Sequence, residues 1–227
     1  MDPTHTYIVS DLHLGNDHFR LGDFLSWMDS VPEGARLVLN GDVLDDPSIP
    51  LSADHARVLD RLRDESHKRS VIWVLGNHDR DVHLADSGNI RFEQRWEIGR
   101  RLLVVHGDHL DGVMPRYPIF KHVFKFLHRV LVLLGFPDVH VAEFAKKWDF
   151  LYGVLNRHVA GKALEIAQAQ DFEVVTCGHT HAATKIERDG RRYLNTGAWT
   201  EQPHYYVSVN GQSIDLKTHP NGTIAAE

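Results

Sequence analysis

One cysteine, Cys177, in a chain of 227 residues excludes an intrachain disulfide. It falls within an apolar run and reads as a small core residue rather than a nucleophile. The opening residues, Met1-Asp2-Pro3-Thr4, have neither the basic flank nor the apolar stretch of a secretory signal, so a cytoplasmic protein is the expectation. Internal repeats, low-complexity tracts and linkers are missing, and the length suits one domain over residues 1–227. Positive charge is in short supply: 25 Lys and Arg stand against 31 Asp and Glu, net −6. That balance disfavours the broad basic footprint of a nucleic-acid binder.

Histidine, by contrast, is abundant, with seventeen in the chain. Several sit in five short motifs: Asp11-Leu12-His13, Gly41-Asp42, Gly76-Asn77-His78-Asp79, His106-Gly107-Asp108 and Gly178-His179-Thr180-His181. Each follows an apolar, β-branched run, respectively Tyr7 to Ser10, Arg36 to Asn40, Val71 to Leu75, Leu102 to Val105 and Glu173 to Cys177. Such runs predict buried strands, and the exits of strands are where open α/β sheets gather ligands. Helical patterns at Phe19 to Ser30 and Ser52 to Ser66 alternate with the first three strands and predict βαβ units with a parallel sheet. Towards the end, Thr184 to Arg188, Arg191 to Asn195, Tyr205 to Asn210 and Ser213 to Thr218 are broken by Asp189-Gly190 and Asn210-Gly211, which are hairpin turns. Parallel units followed by antiparallel hairpins predict an α/β fold of two sheets, an αββα sandwich.

The residue types suit a pair of divalent metal ions. Such a pair clamps a phosphate and lowers the pKa of a bound water. Asp11 and His13, two apart, project to one side of an extended segment and can share an ion; His179 and His181 repeat that spacing. Asp42 is the candidate bridge, since the two oxygens of a carboxylate can bind different metals. Asn77 offers an amide oxygen and His106 an imidazole, a donor set suited to manganese, iron or zinc. Each motif has a plainer reading as a turn, hairpin tip or loop, and some of the histidines must be incidental. Their joint occurrence at five strand exits favours the metal site. Asn16 is a candidate phosphate contact, though Gly15-Asn16-Asp17 also reads as a turn. Asp79 and Asp108 are read as partners orienting histidines, with turn or helix cap as the alternative. Asn195 and Thr196 either hold a loop against the site or end a hairpin strand.

The order D-x-H, GD, GNH-D, a lone histidine and GHxH over residues 11–181 resembles the calcineurin-like metallophosphoesterase superfamily. The resemblance implies one metal on Asp11, His13, Asp42 and His181 and another on Asp42, Asn77, His106 and His179. It places His78 beside the substrate. With Asp11-Leu12-His13-Leu14, His106-Gly107-Asp108 and Asn195-Thr196-Gly197 before Trp199, the chain is most similar to the UDP-2,3-diacylglucosamine pyrophosphatase family. Those enzymes cleave a nucleotide-linked glycolipid in lipid A synthesis, typically with manganese. One departure is His78, where the better-known branch has arginine; Arg80 is the candidate replacement contact.

Between the fourth and fifth strands lie about sixty residues, 112–172, far beyond an ordinary connection. Phe120, Val123, Phe124, Leu127, Leu131 and Leu134 form one helical stripe and Val141, Phe144, Ala145, Trp148, Leu151, Tyr152 and Leu155 another, predicting a helical cap over the site. Residues 112–165 carry eight basic and four acidic side chains, leaving net −10 elsewhere. A basic, aromatic cap on an acidic body suits an anionic, partly apolar substrate, with Lys121, Phe124, Lys125 and Arg129 as candidate contacts. The alternative is a helical hairpin that buries its stripes and solvates its lysines. The cap's charge-free run, Val130 to Pro137, falls far short of the roughly twenty residues of a membrane span. A peripheral contact with the inner face of a membrane fits the pattern. The sequence leaves oligomeric state open.

The expected reaction is attack on phosphorus by a metal-bound hydroxide, with His78 serving the leaving oxygen and Asp42 and Asn77 at the centre of the site. A general phosphodiesterase or nucleotidase acting on soluble substrates is the second reading. A non-catalytic scaffold of the retromer type is the third, and the complete ligand set with His78 argues against it.

Overall fold

Alternation within the strands shows which side of each sheet meets what. The computed structural model describes residues 5–111, 149–220 and 222–223. Strands β1 (Thr6–Val9), β2 (Arg36–Asn40) and β3 (Val71–Val74) run parallel, joined by helices α1 (Leu21–Ser30) and α2 (Ala53–Ser66). Val9, Leu37, Leu39, Val71 and Trp73 face those helices and pack on Phe24, Trp27, Val58 and Leu62. The intervening Ile8, Val38, Ile72 and Val74 face the other way, into an inner core. Both faces of each strand are therefore apolar, which is why the sequence shows continuous rather than alternating hydrophobic runs.

The short β4 (Arg91–Glu93) adds a parallel edge strand beside β3, and β5 (Trp96–Ile98) passes to a second sheet. There β6 (Leu102–Val104), β7 (Val174–Cys177), β8 (Thr184–Arg188) and β9 (Arg191–Asn195) complete the order β5-β6-β7-β9-β8. β10 (His204–Val209), β11 (Ile214–His219) and β12 (Gly222–Thr223) return to the first sheet, giving β12-β11-β10-β1-β2-β3-β4. Leu102, Val104, Val174 and Leu194 meet Ile8, Val38 and Ile72 in the inner core, so the two sheets stack face to face. This is the expected αββα sandwich.

Three details differ from the sequence reading or go beyond it. β4 and β5 were not anticipated, because three-residue strands are too short to show a period. The fourth predicted strand, β6, whose sheet the sequence left open, lies in the second sheet. Helix α3 (Asp149–Ala169), placed at the end of the predicted cap, packs through Val159, Ala160, Ala163, Leu164 and Ala167 on Leu103, Val105 and Val175. From about Leu155 onward it forms the outer layer of the second sheet, because burying that face needs a helix. The rest of the predicted cap, with Lys121, Phe124, Lys125 and Arg129, lies outside the described residues. Among the described residues no helix is long and apolar enough to cross a membrane.

Both hairpin turns form as expected. Asp189 and Gly190 have φ of 52° and 73°, the left-handed pair that suits the twist of a two-residue hairpin. At the other, the Asn210 side chain accepts hydrogen bonds from the backbone N–H groups of Gln212 and Ser213, at 2.8 and 2.7 Å.

Candidate metal centre

Strand exits from both sheets converge here. Beyond β1 and β2 the backbone pairing continues, with Asp11 N–H donating to the Gly41 carbonyl and His13 N–H to that of Asp42, both at 3.0 Å. On the second sheet Gly178 N–H donates to the His106 carbonyl at 2.9 Å. The two sides are tied at Asp11, whose carboxylate accepts from His179 N–H at 3.0 and 3.2 Å. Asn40, closing β2, donates from its amide to the Val105 carbonyl at 3.0 Å across the sheets.

Seven non-glycine residues among those described have positive φ, and five are candidate ligands: Asp11 (53°), His13 (52°), Asp42 (51°), His179 (65°) and His181 (54°). This region is uncommon for residues with a Cβ, and each such residue costs about 1–3 kcal/mol. The cost concentrates where side chains must be aimed. It also corrects the extended reading of the D-x-H and H-x-H pairs: their side chains meet across left-handed turns, not along a strand.

Asp11, His13 and His181 each present a ligand atom within 4.8 Å of the others. His181 Nε2 is 3.2 Å from Asp11 Oδ1 and 3.0 Å from His13 Nε2. Asp42, His106 and His179 form a second such group, with His106 Nε2 3.2 Å from Asp42 Oδ2. Asn77 joins it, its Oδ1 3.0 Å from His179 Nδ1. All seven predicted ligands are thus brought into two neighbouring groups.

The donors fit a divalent cation. His106 is 1% exposed, and among the described residues its Nε2 has no hydrogen-bond partner, although it lies 3.2 Å from the Asp42 carboxylate. His106 Nδ1 lies 2.8 Å from the Asn40 carbonyl, which can only accept, so in the neutral ring, the form a metal ligand must take, Nδ1 carries the hydrogen and Nε2 the lone pair. A cation would satisfy that lone pair and the two nitrogens facing each other at 3.0 Å in the first group.

Electrostatics agree. Burial opposes ionisation of Asp42, yet His106, then His78 and His13, hold its carboxyl far below the ordinary range. Burial also opposes ionisation of Asp11, which His181 and His106 nevertheless keep below its usual value. Against burial, Asp42 and then Asp11 push the His106 imidazole up to about 10. Two buried carboxylates held anionic make a cation-seeking site.

Three motif glycines are required by close approach, the first being Gly41, where a Cβ would overlap the His106 ring. A Cβ on Gly76 would overlap the Asp42 carboxylate, and one on Gly178 would overlap the Asp11 carboxylate and the Ser10 hydroxyl.

Other predicted residues fare differently. His78 is placed at the site: its backbone N–H donates to Asp42 Oδ1 at 2.9 Å, and its Nδ1 lies 2.6 Å from the Asp45 carbonyl. Asn16 follows the turn reading, its Oδ1 accepting from His18 N–H at 3.0 Å. Arg80 is largely exposed and pairs with Asp108 at 2.7 Å, so Asp108 faces an arginine rather than orienting a ligand histidine. Asp79 orients no histidine either. It is fully buried and accepts from Gly76 N–H (2.7 Å), Val43 N–H (2.8 Å) and Trp73 Nε1 (2.8 Å), fastening two ligand loops together. Asn195 holds the last loop, donating to the Gly178 carbonyl at 2.7 Å, and Thr196 shares a 2.6 Å hydrogen bond with Ser10. Cys177 is fully buried, and burial, with Asp11 and Asp108, pushes its thiol up, which suits a core residue.

Sequence reasoning missed Asp45 and Asp111. Asp45 Oδ1 meets His13 Nδ1 at 2.9 Å and Asp111 Oδ2 meets His179 Nε2 at 3.1 Å. Each lies three residues beyond an aspartate already singled out, the one local signal that could have flagged them. Beside His106 and Gly76 a cavity of about 350 Å³ is lined also by Arg80, Asp108, Leu103 and Val105.

Residues 4–183 match the family model described as calcineurin-like phosphoesterase. Over an alignment of 247 positions the chain is 25% identical to the DNA polymerase II small subunit of Thermoplasma acidophilum, covering 92% of this chain and 48% of that one. It therefore spans about half the length of that curated relative. Among solved structures, vacuolar protein sorting 29 of Cryptosporidium parvum aligns with a TM-score of 0.51 and 15% identity, over 95% of this chain and 90% of that one. Yfce, a phosphoesterase from E. coli, aligns with a TM-score of 0.50 and 19% identity, over 98% and 97%. A cold-active protein-tyrosine phosphatase of a Shewanella species aligns at 0.51 and 14%, over 98% and 80%. At these identities the structural likenesses establish a shared fold.

Proposed function

This chain belongs to the calcineurin-like phosphoesterase family, and from that premise we propose that it hydrolyses a phosphodiester or pyrophosphate bond using two divalent metal ions. The observation that carries the proposal is the meeting of Asp11, His13 and His181 with Asp42, His106 and His179 at the exits of two sheets. Asp11, His13 and His181 would hold one ion and Asn77, His106 and His179 the other, with Asp42 between them. Manganese is the first choice, iron or zinc the alternatives. When bound, the ions supply charge neutralisation for the phosphoryl oxygens and a water of lowered pKa.

His78 would serve the leaving oxygen. The Asp45 carbonyl accepts from its Nδ1–H, so Nε2 is the atom free to exchange a proton, and the acid form is the imidazolium. The ring is fixed further by an edge contact with His13, centroids 5.0 Å apart.

For the substrate we propose UDP-2,3-diacylglucosamine or a related nucleotide-linked lipid, met at a membrane surface. What supports it is the motif set around Asn195-Thr196-Gly197 and Trp199 and the basic, aromatic character of residues 112–165. A nucleic-acid substrate is the second reading, favoured by the 25% identity to a DNA polymerase subunit. The test compares Mn²⁺-loaded protein on UDP-diacylglucosamine, UDP-N-acetylglucosamine, an aryl phosphodiester and a single-stranded oligonucleotide. Each acyl methylene buried is worth about 0.8 kcal/mol before ordering costs, so the lipid reading expects a strong preference for the acylated sugar. Equal turnover of both sugars would remove the lipid reading. Cleavage of the oligonucleotide alone would install the second, and no hydrolysis of any of the four would remove the enzyme.

A further inference from the structure

We propose that Asp111 is a positioning residue that selects the tautomer of His179 able to hold a metal ion. The inference rests on the hydrolase reading above and concerns a residue to which that reading gives no part.

His179 offers two nitrogens in different surroundings. Nδ1 lies 3.0 Å from Asn77 Oδ1, on the side of the second donor group. Nε2 lies 3.1 Å from Oδ2 of Asp111, whose side chain is 1% exposed. A neutral imidazole carries one hydrogen, and an ionised carboxylate can only accept. A lone pair on Nε2 would face the carboxylate oxygen in a buried setting, an unfavourable contact; a hydrogen there makes a charge-assisted hydrogen bond. Asn77 Oδ1 is a competing acceptor at Nδ1, but it is neutral, and a hydrogen bond to a carboxylate is roughly twice as strong. Asp111 therefore draws the hydrogen to Nε2 and leaves the lone pair on Nδ1, where an ion shared with Asn77 Oδ1 would take it. The same logic operates at His106 and His13, whose non-ligating Nδ1 atoms meet the Asn40 carbonyl at 2.8 Å and Asp45 Oδ1 at 2.9 Å. Outer partners of this kind fix ring orientation as well as tautomer.

The placement of Asp111 is set locally. A single 3₁₀ turn, Asp108–Leu110, follows His106, and its end is closed by Asp111 N–H donating to the Asp108 carbonyl at 3.1 Å. One short loop thus supplies a ligand, His106, and the acceptor that prepares a second, His179, on the neighbouring strand exit. Two of the donors facing Asp42 are coupled through the same turn.

The test is Asp111→Asn, nearly equal in shape, whose amide can donate to Nε2 and so admit the tautomer with hydrogen on Nδ1. Long-range ¹H–¹⁵N spectra of the metal-free protein read the histidine tautomers directly, and calorimetric titration with Mn²⁺ and Co²⁺ reads each ion's affinity. The expected result is a single Nε2–H form of His179 in the wild type, lost in Asp111→Asn. One ion should bind roughly 10- to 100-fold more weakly while the other changes less than twofold. In a His179→Ala background the same substitution should have no further effect on either ion. An unchanged tautomer, equal losses at both ions, or the same loss without His179 would overturn the role. Asp111→Ala, titrated in parallel, gives the same reading should the asparagine variant fold poorly. A wild type that takes up no ion would overturn the hydrolase reading, whereas two ions bound alike by wild type and variant would overturn this role alone.

Discussion

Replacing Asp79 tests whether the two central ligand loops are held by one buried carboxylate. Its Oδ1 accepts from Gly76 N–H and its Oδ2 from Val43 N–H and Trp73 Nε1, all at 2.7–2.8 Å. Val43 follows the ligand Asp42 and Gly76 precedes the ligand Asn77, so loss of these bonds frees both. Asp79→Ala orphans three buried donors at about 1–3 kcal/mol each. Burying the carboxylate is itself costly, since burial and then Asp42 raise its pKa, and that cost disappears with it. Water entering the space lowers the sum further, leaving an expected loss of about 4 kcal/mol. Asp79→Asn keeps one oxygen for the Val43 and Trp73 pair and sets an amide against Gly76 N–H, for about 1–3 kcal/mol. The assay is urea unfolding of the metal-free protein with the slope held constant, followed by Mn²⁺ titration. Trp73→Phe should cost clearly less in the Asp79→Ala background than in wild type. Equal losses for the two Asp79 variants, or an alanine variant less than about 1 kcal/mol down, would refute the carboxylate clamp.

Asp42→Asn should abolish turnover and reduce occupancy of both ions, measured by metal analysis, because Asp42 stands between the two donor groups; full occupancy with normal turnover would remove the bridge. His78→Ala should keep both ions and lower kcat about 10²- to 10⁴-fold, less so with a good leaving group. Equal losses on good and poor leaving groups would show that His78 does not protonate the leaving oxygen.

The sequence by itself determined the strands that matter, because each is apolar on both faces and its run stops at a motif. It also determined the hairpins at Asp189-Gly190 and Asn210-Gly211, whose turn chemistry is local. The seven donor residues were legible for the same reason: Asp, His and Asn in fixed order after strands carry their chemistry in their identity. Tertiary structure alone decided which sheet β6 joins, since that depends on the three-residue β4 and β5, too short to show a period. It decided that α3 belongs to the outer layer, because an amphipathic stripe does not say what it will cover. Likewise it decided the left-handed backbone at five ligands and the partners that aim them. Asp79 proved to be a clamp, and Asp45 and Asp111 proved to be acceptors for His13 and His179. An aspartate's role follows from which N–H groups surround it, and those come from residues up to 168 positions away in the chain.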